Sequence, residues 1–84
     1  MTLPDIYQAL GEIFLTVFGR RDLVVHPQLS AQDVADWDSF KQVEIILAVE
    51  ERFSILLGNR DVDHLETVGD LAAVIATKLD TAEG

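Results

Sequence analysis

Trp37-Asp38-Ser39-Phe40-Lys41-Gln42-Val43-Glu44 decides how this chain is read, because it joins a stretch without periodicity to one with a clear helical repeat. Asp38 has the short carboxylate that suits a helix N-cap, which puts Ser39 at the start of the helix. A serine there stands beside unpaired backbone N–H groups and the positive end of the helix dipole. That setting favours an anion such as a phosphodiester by about 0.3–1 kcal/mol. Downstream, Phe40, Val43, Ile46, Leu47, Val49 and Phe53 are expected to cover one broad buried side. Lys41, Glu44, Ile45, Ala48, Glu51 and Arg52 are expected on the opposite side. Leu56, Leu57, Gly58 and Asn59 end this helix, and Asp61 to Leu65 has room for one further turn.

On the N-terminal side, Pro4 suits a first helical turn, and Leu3, Ile6, Leu10, Phe14 and Val17 recur at helical spacing until Gly19 supplies a stop. A first helix over about residues 3–18 follows. From Arg20 to Trp37 the periodicity lapses. A connection that long in a small domain is usually functional or tied down, and Leu23, Val25, Leu29 and Val34 are its expected apolar anchors. On the C-terminal side, Thr67 and Asp70 form a capping box with aspartate in place of glutamate, ahead of Leu71, Ile75 and Leu79 at spacing four. The last helix is expected to run to about Leu79, with Asp80 to Gly84 as a frayed tail. The expected fold is an all-α four-helix bundle, with three main helices, one short helix and a long first loop. The whole span, residues 1–84, is expected to form one domain.

Composition limits what such a bundle does. A chain of 84 residues buries only about 60% of its unfolded surface, yet 49% hydrophobic residues suffice for a core despite a net charge of -9. That charge disfavours nucleic acid and anionic membrane surfaces, whose phosphates need a basic face. Basic proteins are the expected partners. No run approaches the roughly 18 apolar residues of a membrane span, and no basic segment leads into an uncharged apolar one at the N-terminus. A cytoplasmic protein with no membrane insertion, and a monomer, is expected. With no cysteine, the chain cannot form a thioester with its own side chains, so any thiol chemistry must be imported.

The run Trp37 to Glu44, its continuation through Leu47, Glu50, Glu51 and Phe53, and the later Thr67-Val-Gly-Asp-Leu71 together resemble the acyl carrier protein family. The resemblance extends from the first helix to Ile75. It implies that Ser39, in the motif Asp38-Ser39-Phe40, receives a 4'-phosphopantetheine arm from coenzyme A through a phosphopantetheinyl transferase. The arm's thiol would then carry acyl groups as thioesters between enzymes of fatty acid or polyketide synthesis. The chain would be a carrier, not a catalyst, and in the family the transferase supplies the metal and the base.

The resemblance also implies that the acidic side of the second helix docks on basic patches of acyl-loading, condensing or acyl-transfer enzymes. By position this falls on Glu44, Glu50 and Glu51. Six acids and one base between Asp33 and Glu51 make a field suited to fast, salt-sensitive docking. Ile45 and Ala48 would add small apolar surface beside the acids, with Phe40 and Lys41 at the same end. Glu50 lies closer to the buried side by helical angle, which gives it a structural role as well. Phe40, Val43, Leu47, Phe53, Leu71 and Ile75 could line an interior for an acyl chain. Phe53, Leu71 and Ile75 are needed for the core, which leaves Leu47 and Phe40 as the expected cargo contacts.

The chain departs from the family's usual pattern at three places. Phe40 replaces leucine, Trp37 replaces a common glycine, and Lys41 stands where housekeeping members often carry an acid. These point to a specialised carrier serving dedicated enzymes. Lys41 either approaches a phosphate on Ser39 or repels a basic patch. Trp37 is placed for a hydrophobic staple over the start of its helix.

Competing readings are weaker. Asp33 and Glu44 fall at the ends of a calcium-loop length, but Ala35, Trp37, Asp38 and Lys41 occupy positions that such a loop needs for ligands and a glycine. His26 and His64 lack neighbours at metal-ligand spacing. No Ser-His-Asp arrangement on a nucleophile elbow supports a hydrolase. An unmodified interaction module of the same fold shares every apolar position and differs only in the fate of Ser39.

Overall fold

The computed structural model of the chain describes residues 2–63 and 65–83. Four helices follow one another: α1 (Leu3–Phe18), α2 (Ser39–Phe53), α3 (Asn59–Asp63) and α4 (Val68–Glu83). Among the described residues there is no strand, and no helix is long and apolar enough to cross a membrane.

Each boundary has a local chemical cause. Thr2 and Asp5 form a reciprocal capping box at the start of α1, with Pro in the first turn. Gly19 ends it in the left-handed region at φ 65°, its N–H donating to the Leu15 carbonyl. Asp38 caps α2 by accepting the Lys41 N–H at 2.9 Å. Ser54, with φ 56°, ends α2 sooner than the Leu56 to Asn59 stretch would suggest. The Glu50 carboxylate accepts the Leu57 N–H at 2.9 Å and its carbonyl accepts the Ile55 N–H, which bends the chain away. That is the structural role expected of Glu50. Asp61 and Asp70 cap the last two helices, accepting from Gly58 and from Glu66 and Thr67 respectively. The helix α4 continues past Leu79 to Glu83; Gly84 lies outside the described residues.

The core is formed where α1 packs against α2 and α4. Ile6, Leu10, Phe14, Ile45, Val49, Val68, Leu71 and Ile75 are buried at its centre. The long loop contributes Leu29 and Val34 as buried anchors, with Leu23 and Val25 packed at the margin, as the sequence leads one to expect. Its second half is strapped to the start of α4. The Val68 N–H donates to the Leu29 carbonyl at 2.8 Å and the Gly69 N–H to the Pro27 carbonyl at 2.9 Å. Ser30 and Thr67 form an isolated antiparallel bridge beside them.

The buried side of α2 is only in part the one expected. Ile45 is 0% exposed and Val49 and Phe53 are buried with it, whereas Phe40, Val43 and Leu47 are 70%, 57% and 59% exposed. At about 100° per residue the helix carries two apolar stripes on nearly opposite sides. The pattern alone merges them into one broad face. The neighbours decide: α1 and α4 together cover one stripe only. Ile45 is therefore a core residue and not part of a docking surface. Phe40 and Leu47 do not line the interior.

Two outcomes follow. A Cβ at Gly69 would lie 2.9 Å from the Pro27 carbonyl oxygen, which is backbone and cannot move aside cheaply. Gly69→Ala gains up to about 1 kcal/mol in helix propensity but loses about 1–3 kcal/mol to overpacking. Equilibrium denaturation should therefore show a net loss; a gain would mean that the loop yields without strain. The Asp70 carboxyl is held below its ordinary value of 3.8 by the N–H groups of Glu66 and Thr67, and Asp61 below the same value by the Gly58 N–H and then the Lys78 ammonium. Groups with a depressed folded pKa contribute stability above their unfolded value and lose it as pH falls through the folded one. The melting temperature should fall on acidification below the ordinary aspartate range, and Asp70→Asn should flatten that acid limb.

Candidate functional site

Capping by Asp38 leaves Ser39 at the first position of α2, exposed on the surface. Trp37 before it and Lys41 after it tie this end of the helix to α1. Trp37 precedes the cap, and its indole Nε1–H donates to the Gln42 Oε1 at 2.7 Å. These two residues occupy the positions of a hydrophobic staple, but a hydrogen bond joins them. The indole packs edge-on against Phe14 at 5.3 Å between ring centroids, and against Phe18 at 6.1 Å. Contacts of this geometry add about 0.5–1.5 kcal/mol beyond area burial.

Lys41 reaches in the same direction. Its Nζ donates to the Val17 carbonyl at 3.1 Å and lies 3.6 Å from the Glu44 carboxylate. The Val17 carbonyl belongs to the last turn of α1, where carbonyls lack intrahelical donors and the dipole is negative, so an ammonium is well placed there. In this arrangement the Lys41 ammonium is bonded to α1.

Beside Ser39 runs an open groove of about 580 Å³, walled by Ala31, Trp37, Gln42 and Val43 on one side and by Val62 and Leu65 on the other. Its walls are mostly apolar, with the Gln42 carboxamide and the Asp38 carboxylate among them. The groove leads away from the serine between α2 and the α3 region. A second groove, about 430 Å³, lies between α1 and α2 and is lined by Ala48 and Glu51 of α2 with Glu12 and Arg52 at its rim. Arg52 and Glu12 pair across it at 2.7 Å, both about half exposed, a contact of roughly 0–1 kcal/mol.

The expected site residues therefore separate. Ser39 and Asp38 share the start of α2 as expected. Phe40, Leu47 and Glu51 are exposed, Glu44 and Ala48 half-buried, Lys41 half-buried against α1, and Ile45 enclosed. Val43, assigned by its pattern to the core, joins Phe40 and Leu47 in an exposed apolar strip along two turns of α2. Glu44 and Glu51, two turns apart, flank that strip on one edge. The i, i+3, i+7 spacing of Phe40, Val43 and Leu47 is the signal that this strip is one unit. Gln42 and the groove walls Val62 and Leu65 carry no signal in the sequence. Among the described residues, no cluster of three or more His, Cys, Asp and Glu side chains could hold a metal ion. His26 Nδ1 lies 3.4 Å from the Gln28 amide oxygen, and His64 lies outside the described residues.

No family model matches the chain. It is 38% identical over 76 residues to an acyl carrier protein of Acidothermus cellulolyticus, an alignment covering 90% of each chain. It is 35% identical over 74 residues to a meromycolate extension acyl carrier protein of Mycolicibacterium smegmatis, covering 88% of this chain and 75% of that one. Among solved structures, the solution NMR structure of a holo acyl carrier protein from Geobacter metallireducens superposes with a TM-score of 0.87 at 31% identity, covering 92% of this chain and 88% of that one. With the capped serine, the four helices and these relatives in agreement, the chain belongs to the acyl carrier protein family, as a specialised member of it.

Proposed function

We propose that this chain carries acyl groups on a 4'-phosphopantetheine arm joined to the Ser39 hydroxyl and presents them to dedicated enzymes of fatty acid or polyketide synthesis. The observation that carries this reading is the exposed Ser39 at the capped start of α2, opening on an apolar groove. The residues present fit such a group. A phosphodiester on Ser39 would meet the positive end of α2. Trp37, Val43, Val62 and Leu65 offer apolar walls to a flexible chain, and Gln42 offers amide hydrogen-bonding capacity. The arm supplies the thiol that this chain lacks. Asp38 keeps the helix start in register so that the serine stays outward, and the transferase reaches it without any movement of the core.

Docking falls to the exposed strip Phe40, Val43 and Leu47, with Glu44 and Glu51 along its edge. Apolar contact at the centre and acids at the rim suit a partner with a basic patch around a hydrophobic one. Lys41 sits beside this edge as one positive charge paired to Glu44, and it biases the choice of partner against enzymes that expect an acid there. The protein acts as a monomer in the cytoplasm, with the transferase and acyl-loading, condensing or acyl-transfer enzymes as partners.

Incubation with coenzyme A and a broad-specificity phosphopantetheinyl transferase should raise the intact mass by one phosphopantetheine group, and Ser39→Ala should abolish the gain. No gain with several transferases would make Ser39 a helix-start residue in an unmodified interaction module. Glu51→Lys, at an exposed position, should raise the transferase KM about threefold to tenfold at low salt, with kcat and melting temperature unchanged. The difference should shrink as salt rises; an equal KM at low salt would remove Glu51 from the docking edge.

A further inference from the structure

Two cavities meet at Trp37. The groove beside Ser39 has a volume of about 580 Å³. Behind it lies a small pocket of about 40 Å³ that reaches Thr67 and the core residue Leu71. Ala31, Trp37, Gln42 and Leu65 line both. The side chains of two of these shared residues are joined by the Trp37–Gln42 hydrogen bond of 2.7 Å. The inner pocket has room for about one small group, given that a water molecule occupies roughly 30 Å³.

From this juxtaposition we infer that the Trp37–Gln42 pair is a stop that sets how deeply a cargo chain enters the bundle. The inference rests on the assignment of Ser39 above. The indole is not free to swing. It is bonded through Nε1 to Gln42, and its ring is wedged against Phe14 and Phe18, both on α1. A chain growing inward from the groove must break that bond and unseat the ring before it gains contact with Leu71. Acyl groups from butanoyl to dodecanoyl gain too little burial to do so and stay in the outer groove, where the thioester remains open to partner enzymes. Trp37 and Gln42 are thus positioning residues that limit the depth of cargo entry. The occupant is an acyl chain because the groove begins at the residue that tethers it.

The test loads the full chain with butanoyl- and dodecanoyl-coenzyme A through a broad-specificity transferase. It compares the wild type with Trp37→Phe, which keeps a ring against Phe14 but loses the N–H, and with Gln42→Ala, which keeps the indole. Methyl NMR shifts of Leu71 and Ile75 report entry, and hydroxylamine cleavage reports shelter of the thioester. In the wild type, both acyl forms should share their core methyl shifts and cleavage rates. In both variants the dodecanoyl form should move the Leu71 methyls and be cleaved more slowly; two extra sheltered methylenes shift the population about tenfold. Movement of the Leu71 and Ile75 methyls by the dodecanoyl chain in the wild type would overturn the stop while leaving the Ser39 assignment intact. So would variants that match the wild type in both readouts. Absence of any mass gain on loading would overturn the Ser39 assignment, and the stop with it.

Discussion

The hydrogen bond from the Lys41 N–H to the Asp38 carboxylate settles where α2 begins, and with it the place of Ser39 at the helix start. An N-cap of this kind contributes about 1 kcal/mol, which is modest beside the burial of a core residue. Its importance lies in where the helix starts. The cap puts Ser39 at the first, exposed position of α2, and packing against α1 and α4 then buries Ile45, Val49 and Phe53 and leaves Phe40, Val43 and Leu47 outside.

A cap alone does not hold a helix in place, and the fold adds ties at both ends of the site. Lys41 and Trp37 bind the start of α2 to the last turns of α1, one through the Val17 carbonyl and the other through the Phe14 and Phe18 rings. On the other flank, the loop is strapped to α4 by two backbone hydrogen bonds, from Val68 to Leu29 and from Gly69 to Pro27. A long connection would otherwise leave Ser39 on a loosely placed helix. Here the Pro27 and Leu29 carbonyls, in the middle of the loop, meet the unpaired N–H groups at the start of α4, so one set of bonds satisfies both. Gly69 is small because that approach leaves no space for a Cβ.

The surface of α2 keeps part of its apolar content outside the core. Exposing three large apolar residues costs some of the burial available to 84 residues. Under the proposed function the compensation is a strip whose rim carries Glu44 and Glu51, suited to a contact guided by charge and completed by apolar area. Glu50 stands apart from this surface. Its carboxylate is occupied by the Leu57 N–H and helps turn the chain toward α3.

The sequence by itself determined the class of fold, the helix starts and the position of the serine. Those depend on local chemistry: Asp38 and Lys41 are three residues apart, as are Thr67 and Asp70, and Gly19 needs no neighbour to adopt its left-handed conformation. The anchors of the long loop were legible too, since apolar residues in an otherwise polar connection have few other uses. Only the tertiary structure decided which stripe of α2 is buried. Ile45 and Val43 are both β-branched and apolar, and what separates them is the placement of α1 and α4, which no periodicity within α2 encodes. The groove beside Ser39 was equally hidden, because Trp37, Gln42, Val62 and Leu65 are brought together by packing across distant parts of the chain. Local bonds are written in short spacings; the faces and cavities arise from which helices meet.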